Sequence, residues 1–191
     1  MKLKPLNKPP KLRRGLVYLW TGTGAGKTTS ALGVALRAVG HGQKVVVIQW
    51  MKAWKNTGEY KVQRRLRPDY EIHLFGRYGK IKGWVDLKRP DQIDKQLAKD
   101  GLEFAKLAVK KRPHLLVLDE INLACHIGLL DPADVVAFLD TVPPKTTVYL
   151  TGRFAPKKLI DRADFVTEIR QVKHPMGKGI QARRGIEYLF C

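Results

Sequence analysis

Thr21-Gly22-Thr23-Gly24-Ala25-Gly26-Lys27-Thr28-Thr29 stands directly after the apolar run Leu16-Val17-Tyr18-Leu19-Trp20 and before a segment with Leu32, Leu36 and Val39 at helical spacing. The apolar run reads as a buried strand and the segment that follows as a helix starting near Lys27 and closed by Gly40 and Gly42. Between them, small residues let successive backbone N–H groups converge on phosphate oxygens while the helix N-terminus adds its partial positive charge. Lys27 supplies an ammonium and Thr28 a hydroxyl for Mg²⁺. The stretch therefore reads as a phosphate cradle in which Gly22, Thr23, Gly24, Ala25, Gly26, Lys27, Thr28 and Thr29 meet a nucleotide. It departs from the usual spacing in one respect: Thr21 occupies the place six before the lysine, and the glycine comes one later, at Gly22.

Outward from this loop the chain alternates strands and helices. Lys44 to Gln49 is the next apolar strand, which makes a strand, helix, strand unit and implies a parallel pair with a right-handed crossover. Tyr70 to Phe75 is a further strand within a basic, Gly-rich and aromatic stretch from residue 52 to residue 90. Pro90 opens a long helix with Asp91 and Asp94 in its first turn and Lys110, Lys111 and Arg112 in its last, the order that the helix dipole favours; Pro113 ends it. His114 to Asp119 is a strand, Asp131-Pro132 caps a helix through about Asp140, and Thr146 to Thr151 is another strand. Pro156 to Arg162 is a short helix before the strand Phe165 to Arg170, and Gln171 to Cys191 is loop-rich. The expected fold is α/β, a mostly parallel open sheet of five or six strands flanked by helices, of the single-domain P-loop NTPase-like kind.

With 191 residues the chain has room for one domain with a substantial core. Residues 1–15 hold Pro5, Pro9 and Pro10 among six basic and no acidic residues, and read as a basic N-terminal arm; residues 16–191 form the domain. Hydrophobic residues are 44% and charged residues 28%, a globular composition that excludes a disordered chain. No apolar run approaches the eighteen or so residues of a membrane span, and the charged N-terminus lacks the apolar core of a signal peptide. Cys125 and Cys191 fit no metal or redox spacing, so the expected compartment is the reducing cytoplasm. Lys+Arg 36 against Asp+Glu 17 gives +19, an excess that must meet anions or solvent.

Leu115-Leu116-Val117-Leu118-Asp119-Glu120 is a Walker B pattern, an apolar strand ending in two carboxylates. In a parallel sheet the carboxyl ends of strands line the ligand crevice, which brings Asp119 and Glu120 beside the phosphate loop, where they can hold Mg²⁺ directly or through water. The second acid positions a hydrolytic water in many ATPases. Alone, the two motifs establish nucleotide and Mg²⁺, a pairing shared by kinases, ATPases, GTPases and helicases.

The rest of the chain is more specific. It resembles the ATP:corrinoid adenosyltransferases of the cobA/cobO/btuR type through Thr21 to Gly33, Arg37-Ala38-Val39-Gly40-His41-Gly42, Val47-Ile48-Gln49-Trp50-Met51-Lys52, Leu118-Asp119-Glu120-Ile121-Asn122, Leu150-Thr151-Gly152-Arg153 and Val172-Lys173-His174-Pro175. The displaced glycine of the phosphate loop is itself a feature of that family. The resemblance implies transfer of the 5′-deoxyadenosyl group of ATP to the cobalt of a reduced, Co(I) corrinoid, leaving triphosphate. It implies ATP lying in the loop in a reversed sense, with Lys27 and Thr28 on the phosphates and Mg²⁺ held by Thr28 and Glu120. Co(I) is a strong nucleophile that needs no general base, so the protein has to orient C5′ and neutralise a departing tetra-anion. Lys27, Arg37, Arg153 and the metal can supply that charge, with Lys27, Glu120 and Arg153 as the catalytic set. Arg37 is expected a turn or so beyond the loop, and Asn122 joins the nucleotide-binding residues.

The resemblance also implies a homodimer, a reductant or reductase that supplies Co(I), and aromatic residues in the middle region that displace the corrinoid's lower axial ligand. Trp84 in Gly83-Trp84-Val85-Asp86 matches one such residue, but the companion two positions earlier is Lys82, which leaves Tyr78 or Trp54 to complete the wedge. The competing reading is a nucleic-acid-stimulated ATPase, suggested by the net charge and by aromatics interleaved with basic residues. It leaves the Arg-Ala-Val-Gly-His-Gly and Leu-Thr-Gly-Arg matches unexplained, and no nucleic-acid-binding signature accompanies it.

Overall fold

The computed structural model describes residues 12–78, 90–180 and 183–186. Its strands are β1 (Val17–Thr21), β2 (Val45–Trp50), β3 (Tyr70–Phe75), β4 (Leu115–Asp119), β5 (Thr147–Thr151) and β6 (Phe165–Glu168). Its α-helices are α1 (Lys27–Val39), α2 (Gly58–Leu66), α3 (Gln92–Lys110), α4 (Ile121–His126), α5 (Pro132–Asp140) and α6 (Lys157–Arg162). The strands form one six-stranded sheet in the order β3-β2-β4-β5-β1-β6, and every neighbouring pair is parallel.

Alternation along the central strands builds a core on each face of the sheet, because successive side chains point to opposite faces. Val45, Val47, Leu115 and Val117 face α1 and pack with Ala31, Ala35 and Ala38. Val46, Ile48, Trp50, Leu116 and Leu118 face the other way and pack with Ala98, Leu102 and Ala105 of α3 and with Ile121, Ala124, Val135, Phe138 and Leu159. Strands buried on both faces read as continuous apolar runs, which is why Val45 to Ile48 and Leu115 to Leu118 stand out in the sequence. Gly101, inside α3, sits where the sheet comes closest: a Cβ there would lie 3.0 Å from the Trp50 ring, whose Nε1 donates to Ala98 O at 3.0 Å. The helix gives up roughly 1 kcal/mol of propensity at that glycine to let the indole in.

Two elements go beyond the sequence reading. Helix α2 falls in the basic stretch, where Thr57 caps it by accepting from Tyr60 N. Helix α4 follows β4 with no Gly or Pro between, since Glu120 itself makes the turn at φ 65°. The long helix begins one residue later than its acidic pair suggests: Asp91 is the N-cap of α3 and forms a capping box with Asp94. Strand β6 ends at Glu168 rather than Arg170: Ile169 N–H still bonds Thr21 of β1, but its carbonyl is already taken by the phosphate loop at Gly24. Within the basic arm, the described end is tied down: Arg14 pairs with Asp164 at 2.8 Å; residues 1–11 lie outside the described residues. Among the described residues, no helix is long and apolar enough to cross a membrane.

Candidate functional site

The carboxyl ends of β1, β2, β4 and β5 converge on one site. Thr21 ends β1 and the loop rises from it, with Gly22 at φ 98° and Gly26, the N-cap of α1, at φ 108°. Gly22 is required by space as well as by φ, since a Cβ would lie 2.3 Å from Ile169 O. Ile169 anchors the loop from below: its N–H donates to Thr21 O at 2.9 Å, and its carbonyl accepts from Gly24 N at 2.9 Å. Lys27 is 6% exposed, and its Nζ donates to Gly22 O at 2.9 Å and Gly24 O at 2.6 Å, so the ammonium is curled into its own loop. Burial pulls its pKa down, Arg153 pulls it further, and Glu120 and Asp119 oppose. Thr23, Ala25 and Thr29 are exposed on the loop and the first turn of α1.

Asp119 and Glu120 sit beside this loop in different environments. Asp119 is fully buried and accepts four hydrogen bonds: Thr28 Oγ1 at 2.8 Å and Thr151 Oγ1 at 2.6 Å on Oδ1, Gln49 Nε2 at 3.0 Å and Lys52 Nζ at 2.7 Å on Oδ2. Burial alone would push its carboxyl up, but Lys52 and the hydroxyls of Thr151 and Thr28 outweigh it and hold the group below the ordinary carboxylate range. Glu120 donates its backbone N–H to Thr151 Oγ1 at 3.0 Å, while its Oε2 is buried without a hydrogen-bond partner. Burial and the charge of Asp119 push the Glu120 carboxyl up, with Lys52, Lys27 and Arg153 offsetting them only in part. A buried carboxyl oxygen with no donor is a place where a cation, a water or the group's own proton supplies the missing partner.

Three further expected residues are differently placed. Arg153 is exposed on the loop after β5, and its charge reaches both Lys27 and Glu120. Asn122 is fully buried; its Nδ2 donates to Trp20 O at 3.1 Å and Gly152 O at 3.3 Å, so it ties the ends of β1 and β5 to α4 and its Oδ1 is left unpartnered. Arg37 is exposed near Tyr149, whose hydroxyl it acts on electrostatically. It lies ten positions along α1 from Lys27, about 15 Å at the usual rise, so the expected place one turn beyond the loop is too close. Trp84 and Lys82 lie outside the described residues. Of the two alternatives, Trp54 is buried and Tyr78 is 68% exposed, with its ring edge-on to Trp54 at 6.5 Å.

Lys52, Gln49 and Thr151 are the site residues to which the sequence alone assigns no role. Each stands at or just past the carboxyl end of a central strand, and that position is the available signal; only the fold shows that all three converge on Asp119. Backbone strain gathers at the same end of the sheet. Met51 (φ 58°), Glu120 (φ 65°) and Phe154 (φ 55°), non-glycine residues with positive φ, follow β2, β4 and β5.

The model of the family described as ATP:corrinoid adenosyltransferase BtuR/CobO/CobP matches residues 13–188. A Sinorhizobium corrinoid adenosyltransferase is 36% identical over 177 residues, covering 92% of this chain and 81% of that protein. A Pseudomonas aeruginosa corrinoid adenosyltransferase is 37% identical over 176 residues, covering 92% of this chain and 84% of its own length. One from Escherichia coli K12 is 32% identical, with 92% and 86% covered.

Proposed function

This chain belongs to the ATP:corrinoid adenosyltransferase family BtuR/CobO/CobP, and from that premise we propose how its site performs the family's reaction. The enzyme transfers the 5′-deoxyadenosyl group of ATP to the cobalt of a reduced corrinoid and releases triphosphate, in adenosylcobalamin synthesis or corrinoid salvage. In our reading the triphosphate lies in the loop Gly22 to Thr29, on the backbone N–H groups and the N-terminus of α1. The sheet order supports the P-loop NTPase-like assignment, since β5 lies between the loop strand β1 and the acidic strand β4.

The observation that carries the mechanism is the unequal use of the two acids. Asp119 already accepts four donors and has no free oxygen to offer a water or a metal, whereas Glu120 has one buried and bare. Thr28 Oγ1 and Glu120 Oε2 are hard oxygen donors of the kind Mg²⁺ takes, and the orphaned Glu120 oxygen fits that ion. The residues that would hold Mg²⁺ are therefore Thr28 and Glu120, with Asp119 fixing the Thr28 hydroxyl by accepting its hydrogen bond. Bound there, Mg²⁺ would supply positive charge to the triphosphate. Lys27 leaves the carbonyls of Gly22 and Gly24 to meet phosphate oxygens, and Arg153 adds a second cation from across the site. Together these charges stabilise the leaving triphosphate as the C5′–O bond breaks and the cobalt–carbon bond forms. No side chain has to remove a proton.

Trp84 we assign to the corrinoid's lower face, on the strength of its sequence match. If so, Trp84→Ala loses activity under a weak reductant and recovers under one strong enough to make Co(I) in free solution; equal losses under both would remove it from that role. We also take the enzyme to be a cytoplasmic homodimer served by a separate reductant. The deciding assay for the reaction is ATP with chemically reduced corrinoid, followed by the light-sensitive absorbance of a cobalt–carbon bond. Stoichiometric ADP and orthophosphate with no alkylated corrinoid would overturn it in favour of an ATPase.

A further inference from the structure

Phe154 is 52% exposed and holds φ 55°, a left-handed conformation that a bulky side chain rarely adopts. Its loop cannot relax out of that conformation, because both ends are bound to the site. Thr151 Oγ1 donates to Asp119 at 2.6 Å, Gly152 O accepts from Asn122 at 3.3 Å, and Ala155 N donates to Thr21 Oγ1 at 3.2 Å. Asn or Gly would suit both the conformation and the solvent at this position. The free protein thus gains little from a phenyl ring here. One side of the ring is supported by His126 at the end of α4, with centroids 4.8 Å apart and planes 32° from parallel. The residue as a whole remains half exposed at the carboxyl end of β5, one residue past Arg153, whose charge reaches Lys27. An aromatic ring held under strain and backed on one side only, at the rim of a nucleotide site, has the form of a stacking shelf.

We propose that Phe154, backed by His126, is a specificity-determining residue that stacks on the flat conjugated ring of a substrate beyond the phosphate subsite. This rests on the adenosyl-transfer reading, in which adenine and the corrin macrocycle are both flat, conjugated and held at one site. Stacking on either has the same chemistry, a π-face laid on a π-face, and the two are separated by experiment.

The test uses the full-length chain with Phe154→Asn, which keeps the left-handed backbone and removes the ring, and Phe154→Tyr, which keeps the ring. Binding of ATP is titrated without corrinoid, and the corrinoid KM is measured at saturating ATP. The expected result is that Phe154→Asn melts no lower than the parent, and that one of the two constants rises about five- to tenfold, the size of an aromatic stacking contact. Phe154→Tyr stays within about twofold of the parent, as retention of the stacking face requires. Weaker ATP binding identifies adenine as the ring on the shelf; a raised corrinoid KM with ATP binding unchanged identifies the corrin. The proposal is overturned if neither constant moves, if only kcat falls, or if Phe154→Asn melts lower and loses both together, which would make the ring a packing residue. Failure of the parent protein to alkylate any corrinoid would instead refute the adenosyl-transfer reading, and the ATP titration would still test the shelf.

Discussion

Lys52 Nζ lies 2.7 Å from Asp119 Oδ2, and both side chains are buried. The pair joins the end of β4 to the residues after β2, the adjacent strand. Burial of either charge alone is costly, so each accounts for the other. The pair also leaves the site with one acid engaged and one free. Asp119 is committed to holding Thr28, and Glu120 is the carboxylate left to meet an incoming cation.

Lys52→Met should therefore lose about 3–5 kcal/mol of stability, because it strands a buried carboxylate. Adding Asp119→Asn should recover more than half of that loss by removing the unpaired charge. Urea denaturation of the two variants against the parent measures both. A single variant as stable as the parent would show that Asp119 finds another partner.

Gly22→Ala should displace the phosphate loop. The new Cβ would meet Ile169 O at 2.3 Å, and the residue would still be held at φ 98°. The expected cost is about 2 kcal/mol from the strained backbone alone, together with a loss of ATP affinity of more than tenfold. Gly26→Ala has the φ problem without the collision, its nearest atom being 3.8 Å away, so its loss should be the smaller of the two. Thermal melts and ATP titrations on both rank them; the reverse order would mean that the Ile169 anchor gives way.

The contrast between these positions reflects how much of the molecule is legible in its sequence. Strands such as Leu115–Asp119 are readable because burial on both faces makes them uninterrupted apolar runs, and the phosphate loop because backbone convergence on an anion needs small residues at fixed spacing. Helix α4 is not, since its start depends on Glu120 adopting a left-handed conformation that no residue type announces. Neither is the set of donors on Asp119. Gln49, Lys52 and Thr151 lie far from it in the chain, and only the strand order β2-β4-β5 brings them to one carboxylate. For Asn122 the motif suggests a ligand contact; the fold adds that its Nδ2 bonds strand ends while its Oδ1 has no partner, a division that a motif does not reveal.

Asp164→Asn tests the anchoring of the arm and carries a pH signature. The carboxylate accepts from Arg14 at 2.8 and 2.9 Å and from Val17 N at 2.9 Å. Burial pushes this carboxyl up, but the Arg14 and Val17 bonds outweigh it, so it sits below its ordinary value of 3.8 in the fold. Its contribution is therefore fully present above pH 3.8 and fades as pH falls through the lower folded value. The variant should be about 1 kcal/mol less stable at pH 7, a partly exposed pair being discounted for solvent, and the gap should close in acid. A gap that stays constant down to pH 2 would mean that the charge on Asp164 contributes nothing.

Lys27→Ala and Glu120→Gln should each lower turnover by about a hundredfold or more, the scale set by removing preorganised charge from a reacting centre. They should differ in their dependence on Mg²⁺. Lys27 gives up two carbonyl bonds, at 2.9 and 2.6 Å, to reach a phosphate; deleting its ammonium removes charge from the triphosphate and leaves both proposed metal donors, Thr28 and Glu120, in place. Its loss should persist at every Mg²⁺ concentration. Glu120→Gln keeps the size of the side chain and removes the charge from an oxygen, Glu120 Oε2, that is buried without a donor. Its loss should be partly recovered as Mg²⁺ is raised, because a weakened site can still be filled by mass action. Initial rates of cobalt–carbon bond formation across a Mg²⁺ titration distinguish the two. Near-normal turnover and an unshifted Mg²⁺ requirement in Glu120→Gln would transfer the metal to Asp119, which would then have to release Lys52 or Gln49 to accept it.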